Sequence, residues 1–441
     1  MTWKLIFRTL RSPCLAALLF GNCGCLPAAE SARLKPMTIE QHTAGQTREV
    51  EMNAQPIRAA ERPALPPRAT PGPQDDYVTP FGNSSQNSRI GRTVPDGKWQ
   101  VLWKTALRPR NSPSFVLQAG DRVAVQATVW QLFDLEGRLI ASNLSGPGQM
   151  NLDAPRGLFY FIDKDGYVAG RDLQAGKEKF TTMATMGDEG RYPLLYRQGR
   201  KFIMAATERQ LDPHGHHKAS TSEVGVIDLG EPMQIADSGL VLSVKTVGNL
   251  RFSERTLLAA LAGERLVMAL PEEFLLGDLE GNIQGRWTDK FEPKALSLDE
   301  AVRSYLVVDF NGTQFLWIIN SAGQRELAVA LPKDQPVVHP PIVSYDHKVY
   351  LVSSKSIQAF DPVGKPLFSI PIKRAFAGAT VTADDKLLVS DGPELIVFGT
   401  DGVSRVLHDF AQPLKTPPIL TSQGRILVAS DETLFCLRVQ P

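Results

Sequence analysis

Cysteine is nearly absent from this 441-residue chain: there are four, and Cys14, Cys23 and Cys25 all fall at the N-terminus. Cys436 is left alone near the other end, so no intrachain disulfide framework is available, and a buried strand thiol is the expectation for it. An excess of charge of one sign is also lacking. Lys and Arg number 48 against 47 Asp and Glu, a formal net charge of +1, and no basic run stands out, which argues against nucleic acid as a partner. The apolar run from Cys14 to Phe20 is too short to span a bilayer. Preceded by Lys4, Arg8 and Arg11 and followed by Ala28 and Ala29, it reads as a secretory signal over residues 1–28. Removing its three basic residues leaves a formal charge of +1 − 3 = −2. The chain has no Gly-x-Ser-x-Gly elbow, no phosphate loop and no His-Glu metalloprotease motif.

Residues 29–76 hold Pro56, Pro63, Pro66, Pro67, Pro71 and Pro73 among Ala, Arg, Glu and Gln, with no sustained apolar period. That composition predicts a disordered linker. Residues 77–441 differ. Lys348 to Ser353 is a β-branched and aromatic run, Ser354-Lys355 a tight hairpin, and Ser356 to Phe360 a second strand. Asp361-Pro362-Val363-Gly364 turns into a third, and Pro341-Ile342-Val343 ahead makes four. Four short antiparallel strands cannot bury both faces alone and must stack on copies of themselves.

The copies are present. Pro340-Pro341-Ile342-Val343 with Lys348 to Val352 recurs as Pro417-Pro418-Ile419-Leu420 with Arg425 to Ala429, both displaced by 77 residues (417 − 340 and 425 − 348). An Asp/Asn-x-x-Gly turn recurs at Asp134 to Gly137, Asp278 to Gly281, Asn320 to Gly323 and Asp361 to Gly364. Looser forms end at Gly176, Gly230 and Gly402. An eighth unit starts at Pro417 and runs out of chain after Thr433 to Val439. Trp99 to Lys104, near the N-terminus, has the form of its missing outer strand. The predicted fold is therefore all-β: a single eight-bladed β-propeller of four-stranded antiparallel blades, closed by an N-terminal strand so that no edge of the array is left open. Trp130, Trp287 and Trp317 are expected to pack between blades, and the third blade to carry an inserted surface loop at Glu208 to Glu223.

An Asn-rich, Gly-containing lead-in (Asn83, Asn87, Gly91) ending in a Trp-containing strand (Trp103), followed by blades with Asp-x-x-Gly turns, resembles the pyrroloquinoline-quinone-like β-propeller repeat family. Within it the similarity is greatest to the propeller lipoproteins of the outer-membrane β-barrel assembly machinery. The resemblance implies an exported, periplasmic or outer-membrane-associated monomeric ring with other envelope proteins as partners. It does not imply one activity, because the family spans dehydrogenases, scaffolds and sensors. A quinoprotein dehydrogenase would need a tryptophan-rich docking repeat, acidic calcium ligands and commonly adjacent cysteines. The turns here lack the regular form, Asp172-Leu173-Gln174-Ala175-Gly176 being the nearest approach, and no adjacent cysteines exist.

His214, His216 and His217 form the one local cluster of metal-ligand type, where a solvated loop tip is the simpler reading. Cys23 and Cys25 are candidate lipidation positions that would tether the chain to a membrane, although Asn22 suits a lipoprotein signal poorly. No catalytic residue and no cofactor-binding residue are assigned. The expectation is a non-catalytic protein-interaction scaffold of the bacterial cell envelope, in outer-membrane protein assembly. A quinone-dependent or other propeller enzyme and a small-molecule or carbohydrate-binding sensory propeller are the alternatives.

Overall fold

The computed structural model describes residues 40–43, 46–49, 67–70, 88–108, 113–127, 130–143, 150–153, 157–162, 168–182, 191–198, 201–211, 217–235, 239–252, 258–279 and 282–440. For residues 40–43, 46–49, 143, 162, 168, 178–182, 191–198, 201–211, 217–235 and 239–252 only the backbone is described. The description belongs to one compact unit, Thr38–Pro441.

The described residues hold strands and no helix. Separate four-stranded antiparallel meanders occupy 115–143, 258–288, 292–330 and 342–371. In the last of these Ile342–Val343, Val349–Val352, Ser356–Phe360 and Pro366–Pro371 follow one another as the turn chemistry predicts. Unit 376–409 is a meander with an added short strand, Arg89–Ile90, lying parallel to its first strand. Unit 419–439 supplies only three strands, and Trp99–Ala106 pairs antiparallel to Thr433–Val439 as the fourth, with Val439 opposite Trp99 and Cys436 opposite Trp103.

Burial falls from the first two strands to the last across the units whose side chains are described. Val349–Val352 is wholly buried, whereas Pro366–Pro371 exposes most of its side chains. The apolar clusters lie between sheets, as expected when each sheet can bury its faces only on a neighbour. One cluster joins Val267, Phe274 and Leu276 to Leu306, Val308 and Trp317. A second joins Tyr305 and Ile318 to Val349 and Leu351. A third joins Tyr350 and Val352 to Val381 and Val389, and a fourth joins Leu388 and Leu395 to Ile426, Leu434, Val123, Phe133 and Phe159. The tryptophans sit at these seams. Trp287 and Trp317, from adjacent sheets, meet edge to face at 5.2 Å, and Trp130 meets Phe159 of the next sheet at 4.9 Å.

The repeated turn has a local and a long-range role. Asp361 Oδ1 accepts the N–H groups of Val363 and Lys365 at 3.0 and 2.8 Å, and Asp134 Oδ1 those of Glu136 and Arg138 at 3.0 and 2.9 Å. Gly137, Gly323 and Gly364, which close three of these turns, have positive φ and lie against the neighbouring sheet. A Cβ on Gly364 would come within 2.8 Å of Val329 and closer still to Leu327, and one on Gly137 within 2.7 Å of Trp103. Glycine is thus required by the turn and by the approach of one sheet to the next.

Three expectations need correction. Units 150–182 and 191–252 have four strands each but share one sheet instead of standing as separate sheets, because the start of Gly239–Phe252 pairs parallel to Glu178–Thr182, Phe180 opposite Leu240. That strand is 14 residues long, longer than one meander can pair, and its extra backbone groups bond to the strand beside it. The segment Glu208 to Glu223 is largely an extension of the hairpin formed by Lys201–Leu211 and His217–Ile235, with Glu208 opposite Thr221 and Leu211 opposite His217. The Ser220-Thr221-Ser222 run suits a strand as well as a loop. The linker contains the strands Glu40–Thr43 and Gln46–Glu49, paired with each other and, through Glu40 opposite Arg251, with the edge of Gly239–Phe252. An open edge offers such a segment its hydrogen bonds.

Candidate contact site at three strand ends

The first two strands of three consecutive units are joined by the same turn. In Asp299 to Val302, Ser344 to His347 and Thr382 to Asp385 the fourth residue donates its N–H to the carbonyl of the first at 3.1, 3.0 and 2.9 Å. Val302, His347 and Asp385 all adopt positive φ, 61°, 59° and 57°. The first side chain caps the turn in two of them: Asp299 accepts from Arg303 N at 2.9 Å, and Ser344 from Lys348 N at 3.0 Å. Left-handed backbone is uncommon outside glycine and is out of place for a β-branched valine, so three in succession mark a constrained face.

These turns gather buried polar groups. Asp299 is fully buried and accepts from Tyr305 Oη at 3.0 Å and from His347 Nδ1 at 3.1 Å. Burial alone would raise its pKa, but the bonds from His347, Arg303 and Tyr305 outweigh that and hold the carboxyl below its ordinary value. The Tyr305 hydroxyl is pushed up by its burial and by the Asp299 charge, so it stays a donor. Asp385 is pushed the other way: burial and the neighbouring Asp346 carboxyl raise it. Asp385 Oδ1 accepts the N–H groups of Tyr345 and Asp346 at 2.8 and 3.2 Å.

Two arginines from the N-terminal side enter this cluster. Arg89, 1% exposed, donates from Nε to Val343 O at 2.6 Å, from its terminal nitrogens to Ser344 O and Glu300, and lies 4.8 Å over the Tyr345 ring. Arg68 donates to Asp346 Oδ1 at 2.7 Å and Ala383 O at 2.5 Å, and pairs with Asp385 Oδ2 at 2.7 Å.

The sequence-derived candidates lie elsewhere. His214 and His216 fall outside the described residues, as do Cys23 and Cys25, and His217 opens the strand His217–Ile235 with its side chain outside the description. Arg68, Arg89, Asp299 and His347 were not singled out in sequence, and the acidic pair Asp384-Asp385 suggests there only a solvated hairpin turn, whereas Asp385 is buried. The pattern Asp/Ser/Thr-x-x-x-Lys/Arg, at Asp299 to Arg303, Ser344 to Lys348, Thr382 to Lys386 and Thr421 to Arg425, was the signal available. A calcium-held quinone would need free carboxylates converging between the sheets. Asp153 already accepts from Tyr160 at 3.1 Å, Asp299 from three donors, and Asp385 from two amides and Arg68. These carboxylates do not fit such a group, and no step is routed through one.

The described units make the fold a β-propeller. No family model matches the chain, and no curated protein sequence matches it. Solved structures do. BamB from Moraxella catarrhalis is similar over 78% of this chain and 98% of its own, with 12% identity and a TM-score of 0.52. Sqt1 of Saccharomyces cerevisiae is similar over 78% and 100%, with 13% identity and a TM-score of 0.57. The quinohemoprotein alcohol dehydrogenase ADHIIG from Pseudomonas putida HK5 is similar over 83% and 81%, with 9% identity and a TM-score of 0.55. The chain thus resembles the pyrroloquinoline-quinone-like propellers, BamB among them, and the likeness is one of fold.

Proposed function

We propose that the four-stranded units number eight and close into one ring, and that the ring is a non-catalytic protein-interaction scaffold of the bacterial cell envelope. On this reading the chain is exported, stands at the periplasmic side of a membrane, and serves outer-membrane protein assembly. Neighbouring strands support the ring. Leu258–Ala262 lies beside Glu292–Leu298, that strand beside Ile342–Val343, and that in turn beside Phe376–Thr382. Ser404–Asp409 lies beside Trp99–Ala106 and Ile419–Leu420 beside Phe115–Ala119. Met150–Asp153 lies between Phe115–Ala119 and Arg191–Gln198, and the latter returns to Leu258–Ala262.

The observation that carries the contact reading is an apolar outer edge. Pro366–Pro371 and Ser404–Asp409 end their sheets. They and the turns leading into them expose Val363, Leu367, Val403 and Val406 by 43% to 69%. An edge with free backbone groups and exposed apolar side chains is suited to a partner that adds a strand. The resemblance to propeller lipoproteins of the assembly machinery points to the same use.

The test is capture of envelope proteins by the purified chain, with identification of what is captured, comparing the parent with Leu367→Glu combined with Val406→Glu. The parent should retain a partner that the double variant loses at unchanged melting temperature. Equal capture by both would remove this edge as the contact surface. Turnover of an alcohol by the pure protein with added quinone and calcium would overturn the non-catalytic reading.

A further inference from the structure

The segment Pro67-Arg68-Ala69 lies across the turns Ser344 to His347 and Thr382 to Asp385 in the manner of a bound peptide. Its backbone is held on both sides of the arginine: Ala69 N donates to Tyr345 O at 2.9 Å, and Pro67 O accepts from His347 Nε2 at 3.0 Å. Both bonds are independent of the segment's own side chains. The arginine is read separately, by Asp346 Oδ1 and Asp385 Oδ2 at 2.7 Å each and by Ala383 O at 2.5 Å. Two carboxylates and a carbonyl around one guanidinium make a pocket that matches its fork of donors.

The pocket is held in shape by contacts that do not involve the arginine. The Asp385 side chain is 1% exposed, and the backbone amides of Tyr345 and Asp346 fix one of its oxygens, which turns the other toward Arg68. His347, 4% exposed, is oriented from behind by Asp299 at 3.1 Å, so its second nitrogen faces the peptide carbonyl. The left-handed backbone at His347 and Asp385 sets both side chains at the same place in consecutive turns. Without a cation, Asp346 and Asp385 would face each other as two acids, one of them buried. The occupant, by contrast, is superficial: Pro67 and Thr70 are exposed and the Arg68 side chain is 46% exposed. An acidic pocket held by its own contacts, with a superficial segment laid in it, is an arrangement from which that segment can be exchanged.

We infer that these two turns form a recognition site for an extended, arginine-bearing peptide of a partner protein, and that Pro67-Arg68-Ala69 fills it in cis. The proline ahead of the arginine lacks an N–H and favours an extended backbone, which lowers the ordering cost of binding. A cis occupant competes at the high effective concentration that a tether confers, so partner peptides gain access only as the segment leaves. This rests on the contact reading above and names the chemistry of one contact.

The probe is a fluorescently labelled synthetic peptide of residues 65–71, Leu65-Pro66-Pro67-Arg68-Ala69-Thr70-Pro71, titrated against the full chain. Arg68→Ala in the protein should raise affinity for the peptide about tenfold or more over the parent by emptying the pocket. Adding Asp385→Asn should abolish the gain, as should replacing the peptide's own arginine by alanine. Asp346→Asn, at a half-exposed carboxylate, should lower the affinity without affecting folding and serves if the buried substitution unfolds the chain. Equal affinity of parent and Arg68→Ala, or binding indifferent to both Asp346→Asn and Asp385→Asn, would overturn the inference. Either result leaves the scaffold reading standing, since that reading falls on turnover or on the loss of partner capture.

Discussion

The Tyr305 hydroxyl donates a 3.0 Å hydrogen bond to Asp299 six residues earlier, and the Tyr160 hydroxyl donates the same bond to Asp153 at 3.1 Å. Both pairs are buried and link the end of a unit's first strand to the second. A buried carboxylate that loses one donor is left partly unsatisfied. Tyr305→Phe should therefore cost about 1 kcal/mol in urea unfolding. A loss several times larger would mean that the ring, and not the bond, was disturbed.

The depressed carboxyl of Asp299 carries a pH signature. A group whose folded pKa lies below its unfolded value, about 3.9 for aspartate, contributes stability that is present above that value and lost as pH falls through the folded one. Asp299→Asn should be clearly less stable than the parent at pH 7, and the gap should narrow as pH falls below about 4. Urea midpoints at several pH values would show it, and a constant gap would contradict the assignment.

Arg89 and Glu300 form an ion pair whose two ends differ sharply in exposure, 1% and 51%. Replacing the exposed partner should matter little. Glu300→Gln should cost under about 1 kcal/mol. Arg89→Met leaves the carbonyls of Val343 and Ser344 without this donor and should cost about 3 kcal/mol or more. Thermal unfolding of both variants tests the ranking, and equal losses would rule out Arg89 as the clamp between these units.

Gly312 and Gly364 have nearly the same φ, +74° and +78°, but a Cβ at Gly312 would meet nothing within 4 Å whereas one at Gly364 would strike Leu327 and Val329. Gly312→Ala should cost about 1 kcal/mol from backbone strain alone. Gly364→Ala should add about 1–3 kcal/mol of steric strain between sheets. Comparable melting temperatures for the two would show that the turn does not govern the spacing of the sheets.

Burial pushes the Cys436 thiol up to about 12, and its side chain is fully buried. In native buffer at pH 8 it should resist a thiol reagent and react once urea unfolds the chain. Rapid native labelling would mean that the strand Thr433–Val439 opens readily.

Much of the fold is written locally. Short β-branched and aromatic runs such as Lys348 to Ser353 and the Asp-x-x-Gly turns specify strands and their connections through a few neighbouring residues, and the tryptophans mark the seams because large apolar rings in such strands have only a neighbouring sheet to meet. The outer strand Trp99–Ala106 was legible for a related reason: Trp99 to Lys104 has the form of an outer strand with no hairpin partner beside it in sequence. The turn pattern from Asp299 to Arg425 was equally local, though its meaning was not, since nothing in four residues shows that His347 and Asp385 turn toward the same segment.

The tertiary structure alone decided what depends on distant chain segments meeting. Arg68 reaches Asp346 across 278 positions and Arg89 reaches Glu300 across 211, separations over which no periodicity carries information. The strand Gly239–Phe252 joined two units because its length outran its own meander, and Glu208 to Leu211 and His217 to Glu223 became strand because each lay opposite the other. In each case the residues permit several arrangements, and the choice rests on which backbone groups and charges the rest of the fold leaves in need of a partner.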